Sequence, residues 1–318
     1  MDCTNKKALK VVYGDFTLGV HGERFDYIFS YAQGGLESIV KNGYEWLYRC
    51  PKPTFWRALT DNDRGSKFHI KSGSWLAADM FIDCKDVEVT VDGMCQGKPC
   101  APENNKYGSD VYANEVSVKY TYETITNPST IVDVTYTVNE TGNISVNVHY
   151  VGAKGLQELP VFGLRFVMPT LADKFIYSGL SGETYPDRKM GAQKGVYEVD
   201  DLSLTPYLVP QECGLRMDTD WIEIVRHSSL NNSRKDITPQ TLRIERVDKD
   251  FSFSCLPYTA SEIENATHHE ELPLARRTVL CVYGAVRGVG GIDSWGSDVE
   301  DEYHINAEKD IVYTFKIC

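Results

Sequence analysis

The stretch VDVTYTVNETGNISVNVHY, residues 132–150, decides the fold class. Valine, isoleucine and tyrosine alternate with polar residues on both sides of the turn-forming residues 140–143, ETGN. A period of two places every second side chain on one face of a strand, and a short glycine-containing segment between two such runs is typical of a hairpin. This stretch therefore predicts two antiparallel strands with one buried face.

The same pattern continues outward in both directions. Phe25, Tyr27, Phe29 and Tyr31 alternate near the N-terminus, and the pair at 42–43, Asn-Gly, is typical of a type I′ hairpin turn. Further strand-like runs lie at residues 87–91, 116–122, 160–169, 242–244, 251–253 and 279–283. Because no repeat or long linker interrupts them, we predict an all-β fold over residues 1–318, a single large antiparallel sandwich with few short helices.

A few segments depart from this pattern. Residues 51–65 are predicted to be irregular because they carry two prolines and a run of Asp, Asn and Gly, and residues 177–188 read as a glycine-rich connection too polar for a core strand. Residues 74–80 predict a short helix, and Thr259 with Glu262 forms a capping-box pattern for a second helix over 261–269. The chain is expected to close with two strands between residues 303 and 315.

Composition excludes several functional classes. The net charge of −12 argues against nucleic acid, which requires clustered Lys and Arg. Nothing approaches the roughly 20 apolar residues that span a bilayer, and residues 1–16 lack the apolar region of a signal peptide. The nine cysteines form no CxxC pair, which favours reduced thiols and a cytoplasmic location.

The segment GVGGIDSWG, residues 288–296, is the first candidate functional feature. Its four glycines allow tight bends, which would hold the Trp295 ring outward, where an indole can stack on the apolar face of a sugar. The alternative is that Trp295 is a core residue beside a turn.

Residues 55–65, FWRALTDNDRG, are the second candidate feature. One interpretation is a polar loop near a ligand with Gly65 as its hinge. The other is a surface loop whose Asp and Asn side chains cap their own backbone.

No set of catalytic residues can be assigned from the sequence pattern. The chain contains no GxGxxG, P-loop, GxSxG or HExxH motif, and nothing in the spacing of its 45 acidic residues selects the carboxylate pair of a glycosidase. His268 and His269 are adjacent and would point about 100° apart on a helix, so they do not predict a metal site.

Three stretches, residues 55–65, 182–188 and 290–295, together resemble the C-terminal domain of glycoside hydrolase family 2 β-galactosidases. Residues 205–207 and 213–216 fit the same pattern, in the same order along the chain. A chain of this length resembles the small subunit of the two-chain bacterial enzymes. The resemblance implies a β-supersandwich of the galactose mutarotase-like type, and a role in hydrolysis of terminal β-D-galactosides such as lactose.

The resemblance also implies which functions belong to this chain and which to a large-subunit partner. Both catalytic glutamates and the Mg²⁺ and Na⁺ sites would belong to a large-subunit partner, so no catalytic residue, metal ligand or cofactor is assigned to this chain, and the isolated chain is expected to be inactive. Trp295 matches the tryptophan that stacks on the sugar, and Asp293 and Ser294 are placed beside it as substrate-binding residues. Ile292 stands where longer relatives often carry an acid.

Gly65 matches the hinge of a mobile loop, which would cover residues 65–70. The residues assigned to the mobile loop itself are Asp61, Asn62, Asp63, Arg64, Gly65 and Ser66.

Two other functions remain open at this point. An aldose epimerase on the related fold would need a histidine acid and a glutamate base, for which His149, His227 and His304 are available. A carbohydrate-binding module would bind a galactoside without a partner.

Overall fold

The computed structural model describes residues 8–101, 108 and 110–318, and these form three antiparallel sheets. The six-stranded sheet contains β1 Leu9–Tyr13, β2 Thr17–His21, β3 Phe25–Ser30, β4 Gly35–Lys41, β5 Tyr44–Glu45 and β9 Val111–Ala113. The ten-stranded sheet contains β7 Asp83–Val91, β8 Met94–Gly97, β10 Glu115–Glu123, β11 Ile131–Asn139, β12 Ile144–Tyr150, β14 Lys174–Leu180, β15 Lys194–Val199, β17 Trp221–Arg226, β18 Gln240–Arg246 and β21 Ile311–Ile317. The five-stranded sheet contains β6 Arg49–Thr54, β13 Val161–Met168, β16 Leu215–Thr219, β19 Phe251–Leu256 and β20 Thr278–Val286.

Helices are short and few in the described part of the chain. The α-helices are α1 Asp61–Gly65, α2 Phe68–Lys71 and α3 Ala260–Asn265, and 3₁₀ turns cover Gly73–Trp75, His269–Glu271 and Asp301–Tyr303. None of these helices is long and apolar enough to cross a membrane. The all-β prediction is confirmed.

The hairpin that predicted the fold lies in the ten-stranded sheet. β11 and β12 pair antiparallel with Val134 opposite Val148 and Tyr136 opposite Val146, and these side chains are fully buried. Asn139 closes the turn, because its Oδ1 accepts hydrogen bonds from the backbone N–H groups of Thr141 and Asn143, both at 3.1 Å. Alternation therefore sets both the pairing and the buried face.

Aromatic rings join the sheets across the core. Phe162 on β13 lies 5.2 Å from the ring of Tyr150 on β12 and 6.1 Å from that of Tyr313 on β21. Phe29 on β3 lies 6.0 Å from Tyr136 on β11. The ten-stranded sheet thus packs against both smaller sheets, which is the sandwich predicted from the sequence.

Several local predictions were wrong. Residues 51–54 are not irregular but belong to β6, which is an edge strand and therefore tolerates prolines. Residues 177–180 belong to β14, where Gly179 allows a close approach, since a Cβ there would lie 3.1 Å from the Met217 carbonyl. The helix expected at 74–80 is interrupted by Ala77, which has φ of +61°.

Two predictions for the C-terminal part of the chain also need correction. The capping box at Thr259 and Glu262 is confirmed, but α3 ends at Asn265, so His268 and His269 lie beyond it. Of the two closing strands only β21 is present, since residues 301–303 form a 3₁₀ turn.

The eight described cysteines are free thiols, and Cys3 lies outside the described residues.

Sheet topology brings two distant segments to the same end of the molecule. β13 pairs antiparallel with both β6 and β20, so β6 and β20 run parallel on either side of it. The chain leaves β6 into residues 55–65 and leaves β20 into residues 287–296. Both candidate segments therefore leave the five-stranded sheet at the same end of its strands.

Phe162 tests the contribution of the aromatic core. Phe162→Ala leaves a cavity among Phe55, Tyr150 and Tyr313, and we expect it to lower the free energy of unfolding by about 3–5 kcal/mol in urea denaturation. Val312→Ala on β21 is the control, because Val312 is exposed and its truncation should cost about 0.5 kcal/mol or less. Equal effects of the two changes would contradict this account of the core.

Candidate functional site

The three segments that carry the family resemblance meet in space. Asn62 donates from Nδ2 to the carbonyl of Val289 at 3.0 Å. The Asp187 carboxylate accepts from the backbone N–H of Val289 at 2.9 Å and of Gly290 at 2.7 Å, and the Arg188 guanidinium donates to the Gly290 carbonyl. The segment bearing Trp295 is thus held by side chains from both other stretches.

A buried ion cluster lies beneath this segment. Asp63 accepts from Arg57 Nη2 at 2.9 Å and lies 3.4 Å from Arg287 Nη1, and all three side chains are about 1% exposed or less. Arg57 also donates to the carbonyl of Gly288 at 2.8 Å. Burial lowers the pKa of Arg57, but the charges of Asp63 and Glu212 outweigh it and raise the pKa above its ordinary value. Arg57 therefore stays charged and ties α1 to the start of the tryptophan segment.

Arg287 extends the cluster towards the surface. Its Nε donates to Glu158 at 2.5 Å, its Nη2 contacts Asp298, and its guanidinium lies 4.0 Å from the ring centroid of Phe68. Asp298 also pairs with Lys71 at 2.7 Å. Burial works to raise the pKa of Asp298, but Lys71 and Arg287 outweigh it and hold that pKa at about 2. Charges from four separate stretches of chain fix the segment in place.

The two glycines at the centre of the site touch backbone to backbone. A Cβ on Gly296 would lie 2.6 Å from the carbonyl oxygen of Gly65, and one on Gly65 would lie 3.3 Å from the Cα of Gly296. Gly296 also has φ of +85°, which favours glycine. The glycine predicted as a hinge therefore contacts the residue that follows Trp295.

The Trp295 ring is 90% exposed, so the alternative of a core position is wrong. Asp293 shapes the turn that presents it, because its carboxylate accepts from the backbone N–H of Trp295 at 2.9 Å and from the Ser297 hydroxyl at 2.5 Å. These hydrogen bonds lower the pKa of Asp293. Ser294 lies exposed beside the ring. The structure therefore brings the three proposed substrate-binding residues together on one outward turn.

The stretch predicted as a loop at 61–66 is mainly the one-turn helix α1. Thr60 and Asp63 form a capping box, with Thr60 N–H to Asp63 at 3.0 Å and Asp63 N–H to Thr60 Oγ1 at 3.1 Å. Asp61 is exposed, Asn62 and Arg64 are half-buried, and Ser66 closes the turn by donating to the Asn62 carbonyl at 2.9 Å. Mobility of this region, with Gly65 as hinge, stays a prediction.

A buried acid next to the site was missed by the sequence analysis. Glu212 is 8% exposed and lies 3.5 Å from the Tyr185 hydroxyl, and the neighbouring Gln211 accepts from the backbone N–H of Asp61 at 2.9 Å. Burial raises the pKa of Glu212 to about 7, against the lowering effect of Arg57. The only signal was its place next to residues 213–216, which fit the family pattern.

The carboxylates around the tryptophan segment are engaged in structural contacts. Asp187 binds backbone N–H groups, Asp293 closes its own turn, and Asp298 is held between two cations. Among the described residues, no group of three or more His, Cys, Asp or Glu side chains is arranged to hold a metal ion. Five surface cavities of about 240 to 440 Å³ are lined by other residues. What the site offers chemically is a fixed, exposed indole.

Comparison with known proteins identifies the family. The model of the family described as "Beta galactosidase small chain" matches residues 21–317. The chain is 59% identical over 314 residues to the beta-galactosidase small subunit of Latilactobacillus sakei, covering 99% of this chain and 98% of that one. The chain belongs to the β-galactosidase small-chain family.

Longer relatives place the small chain within a larger protein. This chain is 36% identical to a beta-galactosidase of Halalkalibacterium halodurans, and the match covers 98% of this chain but only 28% of that relative. A galactose mutarotase-like protein from Lactobacillus casei is among the similar solved structures, at 10% identity and a TM-score of 0.43, with 95% of this chain and 99% of the other covered. The chain thus spans nearly all of a small subunit and little more than a quarter of a longer β-galactosidase.

The glycine contact can be tested with two alanine variants. Gly296→Ala combines a positive φ with a clash against the Gly65 carbonyl, so we expect a loss of about 2–4 kcal/mol of folding free energy and a shift in Trp295 fluorescence. Gly182→Ala is the matched control: Gly182 has φ of +69° but open space around it, so about 1 kcal/mol should be lost and the fluorescence should not change. Indistinguishable variants would show that the backbone contact is unimportant.

Glu212 predicts a pH dependence of stability. Because its pKa is raised on folding, the folded chain holds a proton that the unfolded chain releases at lower pH, so this residue makes the free energy of unfolding fall as pH rises from about 5 to about 7. Glu212→Gln should remove that part of the slope, which urea titrations at pH 5, 6, 7 and 8 would measure. The exposed Glu140→Gln should keep the wild-type slope, and an unchanged slope in Glu212→Gln would refute the assignment.

Proposed function

We propose that the chain is the non-catalytic small subunit of a β-galactosidase, in which Trp295 forms one wall of a galactoside pocket completed by a large subunit. The observation that carries this is the 90% exposure of an indole on a segment held by side chains from the other two family stretches. An exposed large aromatic side chain on a rigid base is typical of a binding surface rather than of a folding core. The apolar face of a pyranose is its chemical complement.

The chemistry itself is proposed to come from the partner. Retaining hydrolysis needs two carboxyl groups about 5 Å apart that are able to act on the glycosidic bond. Asp187, Asp293 and Asp298 are instead bound to backbone N–H groups or to cations, so they serve to hold the segment. We place both catalytic carboxylates, and the Mg²⁺ and Na⁺ sites that the resemblance implies, on the large subunit. The free cysteines are compatible with a cytoplasmic enzyme.

The two alternatives have less support. The histidines considered for an aldose epimerase each pair with a different carboxylate, His149 with Asp310 at 2.9 Å and His304 with Glu158 at 2.8 Å. His227 likewise pairs with Asp173 at 2.5 Å. A carbohydrate-binding module would bind sugar alone, whereas a single indole wall provides only one side of a pocket.

Reconstitution tests the proposed function. The chain, a large subunit of the same family and their mixture are assayed on a chromogenic β-galactoside. We expect hydrolysis by the mixture and less than about 1% of that rate from the chain alone, because the reacting carboxylates are on the partner. Full activity from the isolated chain would refute a non-catalytic role, and rapid mutarotation of α-galactose by the chain alone would favour the epimerase.

The role of Trp295 is tested in the reconstituted enzyme. Trp295→Ala should raise KM about tenfold or more, because an indole wall provides roughly 1.5–3 kcal/mol of burial on contact with sugar. Trp295→Phe should retain part of the affinity. Phe16→Ala removes another exposed aromatic ring, from a turn of the six-stranded sheet, and should leave KM unchanged. A wild-type KM in Trp295→Ala would remove the proposed sugar contact.

A further inference from the structure

Four large apolar side chains lie exposed in the connection between β6 and β7. Ile70 is 67% exposed, Leu76 52%, Met80 63% and Phe81 61%. Isolated exposed apolar residues are common, but four within twelve consecutive residues of one connection need an explanation. We call these four side chains the apolar turn surface.

The backbone beneath the apolar turn surface is firmly anchored. Trp75 is fully buried, stacks on Phe55 with ring centroids 5.3 Å apart, and donates from Nε1 to the Gln157 carbonyl at 2.9 Å. Asp79, 8% exposed, pairs with Arg165. Leu76, Met80 and Phe81 therefore project from an anchored backbone, and looseness of that part of the segment does not account for their exposure.

The Ile70 end of the apolar turn surface adjoins the candidate site. Phe68, at the start of α2, is buried against the guanidinium of Arg287, and Lys71, at its end, pairs with Asp298 at 2.7 Å. Arg287 and Asp298 belong to the ion cluster that fixes the Trp295 segment. A partner that completes the sugar pocket beside Trp295 would therefore reach this surface within the same interface.

The charge next to the apolar turn surface indicates what kind of partner fits. A depression of about 430 Å³ beside Met80 is lined by Arg49, Lys52 and Glu262, together with the paired Asp79 and Arg165. Two cations there face one carboxylate, although the whole chain carries a net charge of −12. An exposed carboxylate on a partner would complement this excess of one cation.

We propose that the apolar turn surface is a docking site for the β-galactosidase large subunit, which presents an apolar area to it and a carboxylate to the depression beside Met80. This inference rests on the proposed function and adds the surface through which the subunits associate. A stable interface of this kind buries about 1,000 Å² or more, so these four residues would form part of its apolar centre.

The experiment measures association separately from catalysis. Leu76→Asp and Phe81→Asp are each titrated against the large subunit, with the dissociation constant obtained from sedimentation velocity and the activity measured at saturating small subunit. We expect the dissociation constant to rise about tenfold or more for each variant, with activity at saturation restored to near the wild-type value. Ile237→Asp, at a position 73% exposed in a different connection, is the control and should bind as the wild type does. Melting temperatures of the isolated variants check that each one folds.

The outcomes distinguish this inference from the proposed function. If the wild-type chain binds the large subunit but both variants bind equally well, the docking surface is refuted and the proposed function stands. If the wild-type chain neither binds nor activates any large subunit of the family, the proposed function fails and this inference fails with it. If the wild-type chain forms a dimer that Phe81→Asp dissociates, while binding to the large subunit is unchanged, the surface is a contact between copies and the inference is overturned.

Discussion

One buried carboxylate, Asp63, holds together the end of this molecule that carries Trp295. It caps its own helix through Thr60 and lies between the guanidinium groups of Arg57 and Arg287. Removing one partner from such a buried cluster leaves an uncompensated charge, which is far more costly than breaking a pair on the surface. Because Arg57 also binds carbonyls of the tryptophan segment, the same interaction sets the position of Trp295 relative to α1.

The sheets supply the geometry on which this interaction depends. β6 and β20 flank β13 and run parallel, so the segments that follow them emerge side by side. Arg57 follows the first of these strands and Arg287 the second, which is how two residues 230 positions apart come to bind one carboxylate. The site is therefore a property of the sandwich as a whole, and β14 adds Asp187 and Arg188 through the connection that follows it.

Much of the fold was predictable because alternation is a local signal. In the 132–150 hairpin the alternation of apolar and polar residues predicts which side chains face the core, and Val134, Tyr136 and Val146 are buried as that pattern predicts. Exceptions arose where tertiary position overrides local preference: the prolines of β6 are accepted at a sheet edge, and Gly179 allows a close approach of strands where a long connection was expected. The residues alone favoured a core position for Trp295, and the resemblance reversed that prediction; the structure, with the ring exposed, agrees with the resemblance. The roles of Arg287 and Glu212 were not predictable, because their partners are distant in sequence and only the folded chain brings them together.

The way in which Trp295 is held also determines when its conformational entropy is lost. The turn at Asp293, the contacts of Asp187 and the ion cluster all lie within this one chain, so the backbone carrying the indole is ordered when the chain folds. Little further freedom has to be given up when a second surface arrives, which favours association by rigid-body encounter over coupled folding and binding. The backbone that carries Trp295 is therefore ordered before any partner binds, and association has only to position it.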